Sequence, residues 1–103
     1  MIELVDGPLS LGLVPELGGS IAFLRIAGRD AMRPLSAADA AAGNVLGVAS
    51  FPMIPYANRI DGNAFTFECE TYRVAPNNGD EPFNVHGSGW KSAWTVEEAT
   101  ATT

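Results

Sequence analysis

The apolar residues of this chain recur with a period of two, in runs of strand length. "IELV", "LSLGLV" and "SIAFLRI" follow one another near the N-terminus, separated by "DGP" and "PELGG". Side chains alternate between the faces of a strand, so each run has a face to bury, and the Gly- and Pro-rich separators read as turns. Further along, "AFTFEC" alternates, with Phe65, Phe67 and Cys69 to one side and Thr66 and Glu68 to the other. "IDGN" before it reads as a tight turn, because Asp-Gly tolerates positive backbone angles. "TYRV" and "SAWTVEE" complete the pattern. The expectation is an all-β region of roughly seven short strands.

One segment breaks the period. "SAADAAAGN", residues 36–44, has Ser36 as an N-cap, alanines as a body and Gly43 as a stop, which predicts one short surface helix. No repeat, low-complexity tract or linker divides the 103 residues. They are expected to form a single domain, or the N-terminal part of a larger one.

Composition narrows the partners. Hydrophobic residues make up 47% and charged residues 17%, a globular balance. Twelve acidic and six basic residues leave a net charge of −6, and the basic ones form no stripe. Phosphate backbones and anionic bilayers need clustered Lys and Arg, so no nucleic acid and no membrane is expected as a partner. The single cysteine, Cys69, excludes an internal disulfide and reads as a small apolar strand residue. "MIELVDGP" lacks the basic and apolar regions of a signal peptide, and no run has the length of a membrane span. A cytoplasmic location is the default.

Two segments fit neither strand nor helix. "FPMIPYANRI", residues 51–60, leads through two prolines to Tyr56, Asn58 and Arg59. A guanidinium is a rigid fork of donors suited to vicinal hydroxyls, carboxylates or phosphates, and Pro52 and Pro55 stiffen the backbone that holds it. The plainer alternative is a surface Arg59 paired with Asp61. "PNNGDEPFNVHGSGW", residues 76–90, is long, rich in Gly, Pro and Asn, and carries the chain's one histidine, His86. Phe83, Val85 and Trp90 give it the apolar surface of a docked loop. Neutral imidazole both donates and accepts, although a histidine satisfying a turn is the plainer reading. Without further Cys or His beside it, no metal site is expected. Tyr56, Trp90 and Trp94 are either flat faces for a sugar ring or core packing. Asp80 and Glu81 are either acid–base groups or exposed turn residues, and the turn is preferred. No P-loop, dinucleotide fingerprint or nucleophile elbow is present.

Taken in order, these motifs resemble a known family. "FPMIPYANRIDGNAFTFECETYRVAPNNGDEPFNVHGSGWKSAWTV" is similar to the first-half signature of the aldose 1-epimerases, or galactose mutarotases. Its marks are Phe-Pro-x-x-Pro-x-x-Asn-Arg-Ile, Asp-Gly, Phe-x-Phe, Thr-Tyr, a Pro-Asn loop and His-Gly-x-Gly-Trp. Upstream, "LVPELGGSIAFLRIAGRDAMRP" matches the family's opening strands, with their Gly-Gly turn and Gly-Arg-Asp hairpin. The resemblance implies the N-terminal part of an antiparallel β-supersandwich that interconverts the anomers of free hexoses without cofactor or metal. It assigns sugar binding to Arg59, with Asn58 as support, and a substrate-contacting, supporting catalytic role to His86. The family's general acid histidine and general base glutamate come from later sequence, and no Glu here sits in a matching motif. The resemblance therefore also allows a non-catalytic carbohydrate-binding module or pseudoenzyme of the same fold. Absent partner strands would leave a sheet edge open to self-association.

Overall fold

The computed structural model describes residues 1–100 and divides into two compact units, Met1–Pro52 with the segment from Gly89 onward, and Met53–Ser88.

The first unit is built on one four-stranded antiparallel sheet. Strands β1 (Ile2–Asp6), β2 (Leu9–Val14), β3 (Ser20–Ile26) and β4 (Arg29–Asp30) lie in sequence order. The first three coincide with the alternating runs of the sequence, and β4 falls in the Gly-Arg-Asp hairpin. Two-residue loops join β1 to β2 and β3 to β4, with Asp6 opposite Leu9 and Ile26 opposite Arg29. Gly7 has φ 54°, and Ala27 and Gly28 have φ 50° and 77°, the positive angles that tight hairpins require. A bulge between Gly12 and Leu13 shifts the β2–β3 register. Gly12 has no side chain because the Phe23 ring lies over it, with Cζ 2.9 Å from where a Cβ would stand.

Val14, Ala22 and Phe23 form the core of this unit, with Leu17 and Leu35 packed against it. Trp90 is its most buried large side chain, 1% exposed, and stacks on Phe51 with ring centroids 5.5 Å apart. Helix α1 (Ala37–Ala42) lies where the alanine run predicts it. Ser36 Oγ accepts from the Asp39 amide at 3.0 Å and donates to Asp39 Oδ2 at 2.6 Å, while Gly43 closes the helix in the left-handed conformation. Asn44 Nδ2 donates to Asp39 Oδ1 at 2.7 Å. "SAWTVEE" departs from the expected strand: residues 92–98 have no ladder partner and are exposed. Here Trp94 spends its hydrogen bonds on the β2–β3 loop and its own segment, its amide on Pro15 O and its indole on Gly89 O, each at 2.9 Å. The last three residues of "EEATATT" lie outside the described part.

The second unit holds the hairpin of β5 (Ala64–Phe67) and β6 (Glu70–Arg73). Phe65 stacks on Tyr72 across it, centroids 5.4 Å apart. Cys69 is not a strand residue. Glu68 and Cys69 form the two-residue loop, with φ 49° and 65°, and Cys69 is exposed. The alternation of "AFTFEC" ends two residues early because the chain must reverse there. "IDGN" is the expected turn, with Gly62 and Asn63 at φ 59° and 53°. Six strands and one short helix are thus described, all pairings being antiparallel. No helix among the described residues is long and apolar enough to cross a membrane.

Candidate functional site

The three residues singled out in the sequence meet inside the second unit. Asn58 and His86 exchange hydrogen bonds. The Asn58 amide donates to His86 Nδ1 at 2.8 Å, and the His86 amide donates to the Asn58 carbonyl at 2.9 Å. Arg59, next in line, bridges to Val85, next to His86. Two segments far apart in the chain therefore cross here as a minimal antiparallel pair.

Local conformation explains the residue types. Asn58 and His86 both lie in the left-handed region, with φ 67° and 58°. Asn and His are among the few non-glycine residues that enter it readily. Gly87 follows at φ 67°, and a Cβ there would collide with the Pro55 ring and lie 2.7 Å from the Ile54 carbonyl oxygen. The stiff "PMIP" lead-in thus packs directly against the His-Gly turn.

The loop that carries His86 is held by side-chain amides. Asn77 Oδ1 accepts from the Val85 amide at 2.8 Å, and its Nδ2 donates to the carbonyls of Val85 and Gly87 at 2.9 and 2.6 Å. Asn63 Oδ1 accepts from the Asn84 amide at 2.6 Å, while its Nδ2 donates to Pro82 O at 2.8 Å. Asn84 Nδ2 donates to Ala75 O at 2.6 Å, and Tyr56 donates its hydroxyl to Asn84 Oδ1. Val85 is buried beneath this lattice.

The chemistry of the site follows from these bonds. With Nδ1 accepting from a backbone amide, the neutral His86 ring carries its proton on Nε2, so its outer nitrogen is a donor. Arg59 meets Glu81 fork to fork, with Nε 3.1 Å from Oε2 and Nη2 2.8 Å from Oε1. Its Nη1 turns toward Asn58 Oδ1 at 3.5 Å. The pair holds Glu81 below the usual carboxylate range and Arg59 above its ordinary value, the side-chain hydrogen bonds being the larger cause in both. The partner of Arg59 is therefore Glu81 and not the nearby Asp61. Glu81 was missed as a site residue because its turn context gives no sign of a partner 22 positions away.

The remaining aromatic candidates separate. Tyr56 serves the loop through its hydroxyl, and Trp90 is core of the other unit. Trp94 is 41% exposed and belongs to the first unit. Among the described residues, no group of three or more His, Cys, Asp or Glu side chains is placed to hold a metal ion.

Comparison with known proteins bears on the family and the fold. An uncharacterized protein of Escherichia coli K12, YphB, is 39% identical over 44 residues, which are 43% of this chain and 15% of that protein. A crystal structure from the same organism, of a protein assigned as an aldose 1-epimerase, matches with a TM-score of 0.85 at 27% identity. That match covers 96% of this chain and 32% of the other, so the chain spans about a third of the length of the structure it resembles. The model of the aldose 1-epimerase family matches residues 2–103. With nearly its whole length matched and its antiparallel fold shared with a solved relative, the chain belongs to the aldose 1-epimerase family, a family of isomerases that act on sugars.

Proposed function

We propose that residues 53–88 supply part of the hexose site of an aldose 1-epimerase-type protein that interconverts α and β anomers by ring opening and closure. The observation that carries this is the mutual hold of Asn58 and His86, with Arg59 bridged to Val85 one position along, which brings the three residues onto one short paired segment. In this role Arg59 and His86 Nε2 donate to sugar hydroxyls, and Asn58 positions both.

The reaction needs a base for the anomeric hydroxyl proton and an acid for the ring oxygen, on opposite sides of the sugar. After opening, rotation about C1–C2 exposes the other carbonyl face, and closure reverses the two roles. Donors fixed in advance orient the hexose and stabilise developing charge. His86 fits that supporting role, since its Nδ1 is committed to the backbone. No motif in the 103 residues matches the family's general acid or general base. The chain would then act as the N-terminal part of a larger β-sandwich domain, in the cytoplasm, with its open sheet edge available to further strands or to a second copy. The ligand is a galactose- or glucose-class sugar, and neither cofactor nor metal is required.

Polarimetry on freshly dissolved α-galactose, joined to an NMR binding titration, tests this. Binding that is lost in Arg59→Ala and His86→Ala supports the sugar site. Faster optical-rotation decay would place the acid and base within these residues. Binding without faster decay would assign the chain a carbohydrate-binding role. Absence of binding by the folded chain would sink the proposal.

A further inference from the structure

The Arg59–Glu81 pair lies at the centre of the proposed site, yet a guanidinium needs no carboxylate in order to donate to hydroxyls. Both ends of the pair are anchored. Arg59 has its backbone bridged to Val85, and the Glu81 amide closes a turn on Asn78 O at 3.0 Å. The carboxylate takes the Nε and Nη2 donors together. That edge of the fork is one of the two on which a phosphate or carboxylate ligand would bind bidentately. The other edge runs along Nη1–Nη2, with Nη1 3.5 Å from Asn58 Oδ1. The pair is net neutral, and a second anion arriving there would also meet the Glu81 charge. A neutral hydroxyl suffers no such repulsion and can accept from the Nη1–Nη2 edge.

We infer that Glu81 is a specificity-determining residue, which occupies one anion-binding edge of Arg59, sets its negative charge beside the other and thereby reserves the guanidinium for neutral polyhydroxy ligands over phosphorylated or carboxylated sugars. The preference for a neutral sugar rests on the function proposed above, whereas the exclusion of anions does not. Rejection by an unfavourable charge is a common way to gain selectivity without improving contacts to the preferred ligand.

The experiment titrates the wild-type chain, Glu81→Gln, Glu81→Asp and the double variant Arg59→Ala/Glu81→Gln with galactose, galacturonate and inorganic phosphate, reading backbone amide shifts by NMR. Wild type is expected to take galactose and neither anion. Glu81→Gln should gain at least about tenfold in affinity for phosphate and galacturonate, the size of one charge-assisted hydrogen bond. Glu81→Asp should stay closed to anions, and the double variant should lose the gain, which assigns it to Arg59. The ratio of anion to neutral affinity is the decisive quantity, because a merely structural loss would weaken all ligands alike. An unchanged ratio in Glu81→Gln, or phosphate binding by wild type, overturns the inference. If wild type ignores galactose while Glu81→Gln takes phosphate, the sugar reading fails and the role of Glu81 stands.

Discussion

Asn58 and His86 hold each other through the backbone amide of each, one bond ending on a carbonyl and the other on a ring nitrogen. Replacing His86 by Ala removes the ring acceptor and puts a less tolerant residue at φ 58°. His86→Ala is expected to lose at least about tenfold in galactose affinity, in line with one or two hydrogen bonds. It should also lose hydrogen-exchange protection at the Asn58 amide. His86→Asn accepts the same backbone angle, so it should recover stability without recovering sugar binding. Equal sugar affinity in all three chains would remove His86 from the site.

Gly87→Ala tests the packing of the lead-in against the turn. A methyl group there meets Pro55 and the Ile54 carbonyl, at a positive φ besides. Such a position costs of order 1–3 kcal/mol from backbone strain alone. Urea unfolding should show a loss of at least about 2 kcal/mol, and a neutral result would mean that the lead-in can move aside.

Trp90 anchors the other unit. It is buried to 1% exposure and stacked on Phe51. Trp90→Ala should cost about 3–5 kcal/mol, as large core truncations do. Thermal melting followed by far-UV circular dichroism measures it.

Acid should loosen two places. Asp39 is held below its ordinary 3.8 by its hydrogen bonds to Ser36 and then Asn44. Glu81 is held below its ordinary 4.5, first by its hydrogen bonds with Arg59. A carboxylate lowered by folding contributes stability that is complete above its ordinary value and is lost as the pH falls through the lowered one. NMR titration should therefore show the residue 37–42 amides shifting below pH 3.8 and the Arg59 Nε–H below pH 4.5. Asp39→Asn and Glu81→Gln should each abolish their own transition and leave the other.

Much of the first sheet was legible because its signals are local. Alternation marks β1 to β3, and turn glycines mark their ends. Ser36 and Gly43 bound the helix through bonds made within a few residues. The failures arise where long-range geometry overrides local pattern. "SAWTVEE" alternates like a strand but has no neighbour to pair with. Cys69 continues an alternation that the hairpin must break. Arg59, Asn58 and His86 are marked by their irregular segments, and the ordered motif set joins them into one site. The partnership of Arg59 with Glu81 gave no local sign, since Asp61 is closer in sequence and of the same charge.

The asparagine lattice around residues 75–87 is made of groups without formal charge. Dissolved ions screen charges and leave amide–carbonyl bonds nearly untouched. The frame that presents His86 should therefore keep its shape from dilute buffer to molar salt, while the exposed Arg59–Glu81 contact weakens across that range. Ionic strength then becomes a handle that moves one component of the site against a fixed background.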